Sequence, residues 1–418
     1  AQAGFKKTFS SLASHGLMQA GMLSLSNEWL SSVLSMTVVS FSVETVQEGI
    51  STGHLKVLQV QSASGTTTKL VLKETRIGSQ GKELSRVLGL PRETFFYKQF
   101  AAKLSPTDVA RAFHSQGDLE TGESTLLMED LSAGIQSGYF FGAGNPMNWG
   151  KNLDSLIANQ KSVAARDVAE AAFMLAARLH ATFWCSTDLL GPEWLKGSKW
   201  VSGEDASGWF AAQTQTKNLW DSLKSKIENK EAEVEWSTQV VDVIEASVKK
   251  AAGETAWPDL QARMKGRPWT LLHGDFHPGN MIYMPAPPEA GSSGCGSLKL
   301  IDWEMVGVGS GPQDLAQYMI SHATPALRQE CEKTLLARYH QELTAALSDQ
   351  YKASYTLEQC EAEYVSGGVG KWVWLLVQMG GGMAMPAPVM QFFHDQFAAF
   401  LTDHKVTPDC DAVPPPRV

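Results

Sequence analysis

The sequence predicts an α+β protein in which a β-rich amino-terminal segment precedes a longer helical segment. Three runs rich in β-branched and aromatic residues, at 37–43, 56–61 and 67–72, are separated by glycines, which is typical of short strands joined by turns. Further along the chain, apolar residues recur at spacings of three and four, as helices require. The clearest example is formed by Ala164, Val168, Ala171, Leu175 and Leu179.

The order of these patterns also predicts the domain organisation. The three strands are expected to form an antiparallel sheet, and helical stretches near 82–88 and after Pro91 follow them. A last β-like run at 124–128 is followed by two acidic residues, Glu129 and Asp130, and helical patterns dominate beyond them. We therefore expect four parts: a flexible arm at 1–26, an amino-terminal lobe at 27–128, a carboxy-terminal lobe at 129–408 and a disordered, proline-rich tail at 409–418.

The composition restricts the classes of function. The 418 residues include 43% hydrophobic and 19% charged residues, and the formal net charge is −9, so bulk binding to nucleic acid is not expected. The longest uncharged stretch, 372–393, is interrupted by glycines and prolines and predicts no membrane span. Five cysteines lie far apart, which favours a reducing, cytoplasmic location, although an arm without acidic residues leaves organellar import open.

The strongest motif is the run HGDFHPGN at 273–280, which follows an apolar segment. It places the carboxylate of Asp275 and the amide of Asn280 at the mouth of one tight loop. Phosphoryl transfer to an alcohol needs such a pair, because a carboxylate orients the hydroxyl and takes its proton while an amide oxygen helps to hold Mg²⁺. Asp275 is therefore the predicted base and Asn280 a predicted metal ligand.

A second motif, LKLIDWE at 298–304, is an apolar strand that ends in an acid. Asp302 lies 22 residues after Asn280. An aspartate at the end of a buried strand is well suited to hold a Mg²⁺ ion that bridges the β- and γ-phosphates. Asp302 is therefore the second predicted metal ligand.

Together, the two motifs resemble those of the aminoglycoside phosphotransferase and choline kinase superfamily. The segments LSNEWLSSVL, ETFFYKQF, LLMEDL and LAARLHATFW occur in the order typical of its ecdysteroid-kinase-like branch, and the resemblance extends over residues 24–404. It implies a bilobal fold like that of protein kinases, with ATP and Mg²⁺ as cofactors. The implied activity is phosphorylation of a hydroxyl on a small molecule. This acceptor would be a steroid-like alcohol, a choline-like alcohol or another alcohol.

The resemblance assigns roles to individual residues. Asp275 matches the catalytic aspartate, and Asn280 and Asp302 match the two metal ligands. Lys73 matches the strand lysine that contacts the α- and β-phosphates. Glu93 matches the helix glutamate that pairs with this lysine.

Other positions of the family have counterparts around the nucleotide. Glu129, Asp130 and Leu131 match the hinge whose backbone meets the adenine. Asp314 matches an aspartate that supports the catalytic loop. These residues would therefore position the nucleotide or the loop without taking part in the chemistry.

The phosphate-binding loop departs from the pattern of protein kinases. The expected position, 49–54, reads GISTGH, whereas protein kinases carry G-x-G-x-x-G. Two glycines four residues apart still allow the backbone to turn and offer N–H groups to phosphate oxygens. The predicted loop residues are Gly49, Ser51, Thr52 and Gly53.

Two alternative functions remain open from the residues alone. His273, Asp275 and His277 alternate, and in a single strand they would face one side as a metal-hydrolase triplet. A catalytically silent pseudokinase that binds nucleotide is the other alternative, although each of the motif residues is present. For the kinase that the resemblance implies, the sequence leaves the chemical identity of the acceptor open.

Overall fold

The computed structural model describes residues 25–46, 53–75, 79–286, 296–383 and 385–417. In these ranges an antiparallel sheet forms the centre of the amino-terminal part, and helices dominate the carboxy-terminal part. The predicted α+β fold class is therefore confirmed. Predicted loop residues Gly49, Ser51 and Thr52 lie outside the described residues.

The sheet of the amino-terminal part has the order β1-β2-β3-β5-β4, and every neighbouring pair is antiparallel. Its central strand, β3, carries Lys73 opposite Leu55 and Leu126. The sequence prediction missed β4, because a run that contains His114, Ser and Gln has little of the β-branched character of a strand. The strands are β1 (Val38–Val46), β2 (Gly53–Ser62), β3 (Thr67–Thr75), β4 (Ala112–Gly117) and β5 (Ser124–Glu129).

Three helices accompany this sheet: α1 (Asn27–Leu34), α2 (Ser79–Leu88) and α3 (Arg92–Gln99). Helix α1 buries Leu30 against sheet residues such as Leu58 in a small core of its own. Helix α3 instead buries Phe96 in the main core, which extends through the helical part of the chain. Because α3 packs toward the carboxy-terminal part, it can bring side chains of the two parts together.

The carboxy-terminal part is built mainly from helices. Helix α10 is buried along its whole length and packs against α13. The periodicity predicted for residues 164–179 is confirmed by the long helix α5. The helices are α4 (Leu153–Leu156), α5 (Ala165–Thr182), α6 (Ser198–Val201), α7 (Ala206–Glu228), α8 (Thr238–Ala251), α9 (Ala256–Gly266), α10 (Pro312–His322), α11 (Pro325–Ala346), α12 (Asp349–Ser354), α13 (Leu357–Val377) and α14 (Ala387–Asp403).

Two small antiparallel sheets position the motifs. One pairs β7 with β10, and the other has the order β6-β8-β9. The run 273–280 joins β7 to β8, and Asp302 follows β9, so both motifs lie at strand ends. The strands are β6 (Ile135–Gln136), β7 (Thr270–Leu272), β8 (Met281–Met284), β9 (Ser297–Leu300) and β10 (Gly307–Gly309).

Backbone hydrogen bonds connect the two parts directly. The N–H of Leu300 donates to the carbonyl of Asp108 at 2.8 Å, and the N–H of Ala110 donates to the carbonyl of Leu300 at 3.4 Å. The segment before β4 therefore lies against β9. The boundary between lobes at residues 128 and 129 stays a prediction.

The tail was predicted to be disordered, and this is wrong for its described residues. The three prolines 414–416 are buried. The side chain of Gln213 donates to the carbonyl of Pro416 at 3.1 Å, and the N–H of Arg417 donates to the carbonyl of Gly370 at 3.0 Å. Proline has no backbone N–H to donate to a helix or sheet. Here the proline carbonyls accept hydrogen bonds from side chains of neighbouring helices, and the proline rings bury apolar surface.

Among the described helices, none combines the length and the apolar character needed to cross a bilayer. The predicted cytoplasmic location, and the alternative of organellar import, stay predictions.

The packed tail leads to a test of stability. We expect deletion of residues 413–418 to lower the free energy of unfolding by at least about 2 kcal/mol, because Val413 and the prolines are buried and their loss leaves a cavity. Denaturant titration would measure the change, with Lys249→Ala on the exposed face of α8 as the control. An unchanged midpoint would contradict the packing described above.

Candidate active site

Lys73 lies at the centre of a group of three carboxylates. Its Nζ is 2.7 Å from Oε2 of Glu93, 2.7 Å from Oδ1 of Asp302 and 2.8 Å from Oε1 of Glu304. These residues come from β3, from the first turn of α3 and from the segment after β9. The predicted pairing of Lys73 with Glu93 is therefore present in the geometry.

The charges in this group are strongly coupled. Burial alone would lower the pKa of Lys73, but the three carboxylates outweigh it and raise this pKa well above its ordinary value. Burial and the charge of Asp302 raise the pKa of Glu304 to about 7, and burial raises the pKa of Glu93 although Lys73 opposes it. One ammonium among three carboxylates leaves an excess of negative charge, which a bound cation would offset.

The same oxygens fit a divalent metal ion. One carboxylate oxygen each from Glu93, Asp302 and Glu304 lies within 4.8 Å of the others, and Mg²⁺ prefers oxygen ligands. The other predicted ligand, Asn280, is close by: its carbonyl accepts a hydrogen bond at 3.1 Å from the N–H of Ile301, the residue before Asp302. The backbone of Asn280 therefore lies beside the strand end that leads to Asp302, and the role of Asn280 as a metal ligand stays a prediction.

The backbone around Asp302 is held in an unusual conformation. Asp302 has a φ of 67°, in the left-handed region, which costs about 1–3 kcal/mol for a residue with a β-carbon. The next N–H, that of Trp303, donates to Oε1 of Glu93 at 3.2 Å, and the Trp303 ring stacks on Phe96 with centroids 3.7 Å apart. Helix α3 therefore fixes the turn that presents Asp302.

Asp314 supports the loop at 273–280, as the resemblance implied, and the catalytic role of this loop stays a prediction. It is fully buried in the first turn of α10. Its carboxylate accepts from the N–H of His273 at 2.8 Å and from the N–H of Gly274 at 3.2 Å. Gly274 has a φ of +77°, and a β-carbon there would lie 2.0 Å from the carbonyl oxygen of Met305, so the loop requires glycine at this position.

Asp275 accepts hydrogen bonds on both carboxylate oxygens. Gln317 donates to Oδ1 at 2.7 Å, and the amide of Asn280 donates to Oδ2 at 3.1 Å. Nε2 of His277 lies 3.4 Å from Oδ2. Burial alone would raise the pKa of Asp275, but the charge of His277 outweighs it and lowers this pKa, so the carboxylate is ionised at neutral pH.

The geometry does not favour the alternative triplet of His273, Asp275 and His277. Nε2 of His273 lies 3.0 Å from the carbonyl of Ile301, and its Nδ1 accepts from the N–H of Asp275 at 3.3 Å. Both ring nitrogens of His273 are therefore engaged, and neither offers a lone pair to a metal. Burial lowers the pKa of this histidine, which agrees with a neutral ring that braces the loop.

The predicted hinge lies at the end of β5. The N–H of Glu129 donates to the carbonyl of Arg111 at 2.9 Å, and its carboxylate pairs with Lys299 at 2.5 Å. The carbonyl of Leu131 accepts from Gly134 in a turn at 2.9 Å, and Asp130 lies between the two. The hinge roles therefore stay predictions.

The remaining phosphate-loop residue within the described ranges is Gly53. It begins β2 opposite Thr75, on the strand next to the one that carries Lys73. Its predicted role in binding phosphate stays a prediction.

Sequence reasoning missed two residues of this site. Glu304 belongs to the quoted IDWE motif but was given no role, although its spacing of two from Asp302 was a usable signal. Gln317 lies one helical turn after Asp314, and only the packing of α10 against the loop shows that it meets Asp275. The pattern i, i+3 on a helix indicates a shared face but not which partner that face meets.

Comparisons with known proteins give one family and several solved structures. The family model described as "DUF1679: Uncharacterized oxidoreductase dhs-27" matches residues 194–385, which is less than half of the chain. Among curated proteins, no sequence matches.

The similar solved structures are small-molecule kinases by their titles. The Plasmodium vivax ethanolamine kinase has 11% identity and a TM-score of 0.41, with 88% of this chain and 82% of that chain covered. A choline/ethanolamine kinase family protein from Mesorhizobium loti has 13% identity and a TM-score of 0.38, with 85% and 87% covered. An amicoumacin kinase in complex with AMP-PNP and Ca²⁺ has 13% identity and a TM-score of 0.36, with 93% and 96% covered.

These titles agree with the superfamily that the motifs resemble, and the ecdysteroid-kinase-like branch stays a prediction. With identities of 11–13% and TM-scores below 0.5, the case for a function depends on the geometry of the site.

The charge group around Lys73 leads to a second test. We expect Lys73→Met to lower the free energy of unfolding at pH 7 by roughly 3 kcal/mol, because it leaves buried carboxylates without their cation. The loss should shrink toward pH 5, since raised carboxyl pKa values let these groups become neutral. Urea titrations in EDTA at the two pH values would measure it.

Lys69→Met, an exposed position on the same strand, is the matched control. Added Mg²⁺ should restore part of the lost stability in Lys73→Met only, because the metal would replace the missing positive charge. Equal losses in the two variants would show that Lys73 does not balance these carboxylates.

Proposed function

We propose that this protein transfers the γ-phosphoryl group of ATP to a hydroxyl of a small molecule. The observation that carries the proposal is the convergence of Lys73, Glu93 and Asp302 beside a loop that presents Asp275 with Asn280. A lysine fixed by a helix glutamate, a strand-end aspartate and an Asp–Asn loop are the parts that phosphoryl transfer requires.

The phosphates would be bound on the side of the site that carries Lys73. When a nucleotide enters, the ammonium of Lys73 would exchange part of its carboxylate contacts for oxygens of the α- and β-phosphates. Asn280 and Asp302 would hold Mg²⁺, with Glu304 near enough to contribute. Such a metal ion offsets the charge of the β- and γ-phosphates.

Asp275 would act on the acceptor. Its ionised carboxylate accepts a hydrogen bond from the acceptor hydroxyl and orients the oxygen toward the γ-phosphorus. A bond forms between that oxygen and phosphorus, the bond from phosphorus to the β–γ bridging oxygen breaks, and ADP departs. The hydroxyl proton passes to Asp275. Gln317 and Asn280 hold the carboxylate in position through this step.

Other functions have less support in the described residues. The engaged nitrogens of His273 disfavour a metal hydrolase. The description of the matching family names an oxidoreductase, but the 418 residues contain no G-x-G-x-x-G run, which is the dinucleotide fingerprint of Rossmann enzymes. A silent pseudokinase would not need the carboxylate of Asp275 to be kept ionised and aligned.

Asp275 provides the most direct test. We expect Asp275→Ala to reduce kcat by at least about 10²-fold, because a positioned base contributes about 10²–10⁴-fold, while binding of nucleotide persists. The measurement is transfer from γ-labelled ATP into pooled hydroxylated metabolites with mass spectrometry of the products. Asp221→Asn, at an exposed position, is the control. Near-normal turnover in Asp275→Ala would contradict the assignment of Asp275 as the catalytic base.

Asp302 tests the metal site separately. We expect Asp302→Asn to weaken binding of Mg-ATP by at least about tenfold, since a charged ligand contributes about 1.5–3 kcal/mol. Binding of ATP in EDTA should change much less, because Lys73 remains. Calorimetric titration with and without Mg²⁺ distinguishes the two effects, and an unchanged affinity for Mg-ATP would count against this role.

A further inference from the structure

A cavity of about 120 Å³ lies against the catalytic loop. Its wall includes Gly274, which directly precedes Asp275, and Gln313, one turn before Gln317 on α10. Further lining residues come from α6, α7, α9, β7, β10, α13, the packed tail and the segments beside them. Lys73, Asn280 and Asp302 do not line it, so this cavity is separate from the proposed metal and phosphate site.

The charged residues that line this cavity are all basic. No acidic residue is among its lining residues, although the chain as a whole has a net charge of −9. The basic residues come from four separate segments of the chain, because Arg263 and Arg267 lie four residues apart at the end of α9. The basic residues are Lys196, Arg263, Arg267, Lys371 and Arg417.

Lys371 is the most deeply placed of these groups. It lies in the middle of α13 and is only 3% exposed. In the part of the chain that the structure describes, it has neither a hydrogen bond nor an ion pair, and its Nζ lies 4.6 Å from the ring centroid of Trp374. Nζ of Lys196 lies 5.0 Å from the same ring. A buried ammonium without an anionic partner is costly, so this arrangement favours a bound anion.

The nearest acids do not neutralise the pair of lysines. Asp275 and Asp314 act on Lys371 only over a longer distance, and burial lowers the pKa of Lys371 in spite of them. Burial and the charge of Lys371 lower the pKa of Lys196 well below its ordinary value. An anion between the two ammonium groups would reverse both effects.

Glu363 compensates a different part of the cavity. Its carboxylate accepts hydrogen bonds from Ser310 at 2.8 Å and from Tyr355 at 3.0 Å, and its charge acts on Arg267 and Arg417. Arg267 is exposed. Glu363 therefore offsets part of the charge of Arg267 and Arg417, whereas neither Lys371 nor Lys196 forms an ion pair with a carboxylate within the described ranges.

The other lining residues are largely apolar. Trp209 and Leu272 are buried, and side chains such as Trp200, Met305 and Val308 complete the walls. A cavity with apolar walls and a few placed charges is typical of a small-molecule site. The combination suits a molecule with an apolar body and an anionic group.

We propose that this cavity binds the acceptor, and that the acceptor is an amphipathic alcohol with a carboxylate or another anionic group. The inference rests on the proposed phosphotransferase function. It narrows the acceptor class, because a cationic amino alcohol would meet Lys371 and Lys196 with like charge, and a neutral steroid would leave both ammonium groups unpaired. The anionic group would lie between the two lysines, with the hydroxyl toward Asp275.

Binding without nucleotide gives the first test. The probes are medium-chain ω-hydroxy carboxylates, their methyl esters and amino alcohols of matched length, each titrated into the full-length protein by calorimetry. We expect the carboxylates to bind at least about tenfold more tightly than the matched esters and amines, which is the effect of one charged hydrogen bond. Esters or amines that bind as tightly as the carboxylates would overturn the inference.

Variants locate the effect in the cavity. Lys371→Met keeps most of the side-chain volume and should remove most of the preference for carboxylates while leaving binding of the esters unchanged. Lys196→Met should act in the same direction, which covers the case that one variant folds poorly. Lys249→Met, at an exposed site on α8, should keep the preference. A preference that survives both cavity variants would overturn the assignment.

Phosphoryl transfer from γ-labelled ATP to the same compounds separates the two proposals. Carboxylates that bind with the expected preference but never receive label would count against the phosphotransferase and leave the anion site standing. Label that enters the esters or amines in preference to the carboxylates would support the phosphotransferase and overturn the anionic acceptor.

Discussion

The arrangement of the site depends on one largely buried ion-pair group, in which a single ammonium, that of Lys73, meets the carboxylates of Glu93, Asp302 and Glu304. Lys73 is separated by 20 residues from Glu93 and by 229 from Asp302. Charges that leave water need partners, so these contacts tie the sheet of the amino-terminal part, helix α3 and the turn after β9 to one another. The stacking of Phe96 on Trp303 adds an apolar contact at the same junction.

A second buried carboxylate positions the loop at 273–280. Asp314 accepts the N–H groups of His273 and Gly274, so α10 determines the course of the loop before Asp275. Gln317 on the same helix then holds the Asp275 carboxylate. The group around Lys73 and the start of α10 therefore position two sides of the site, and the hydrogen bonds of Ile301 with His273 and Asn280 connect them.

The sequence predicted those features that local order encodes. Asp275 and Asn280 lie five residues apart, and Asp302 follows an apolar strand, so spacing predicted their roles, which stay predictions. In the structure Asn280 donates to Asp275, and Asp302 contacts Lys73. The basic cavity was not predictable in this way, because Lys196, Arg263 and Lys371 meet only through the packing of three helical regions. The prediction of a disordered tail was wrong for a related reason. A proline-rich end is typically disordered, and here tertiary contacts such as those with α7 and α13 order it.

The low pKa of Asp275 bears on how such a site would work. A weakly basic carboxylate removes a proton from an alcohol poorly in the ground state. In a loose phosphoryl-transfer transition state the nucleophile forms little bond to phosphorus, so catalysis comes chiefly from positioning and from the stabilisation of charge. A carboxylate that is always ionised and held by Gln317 and Asn280 serves orientation well. The proton need pass to it only late, once the new oxygen–phosphorus bond has made the former hydroxyl strongly acidic.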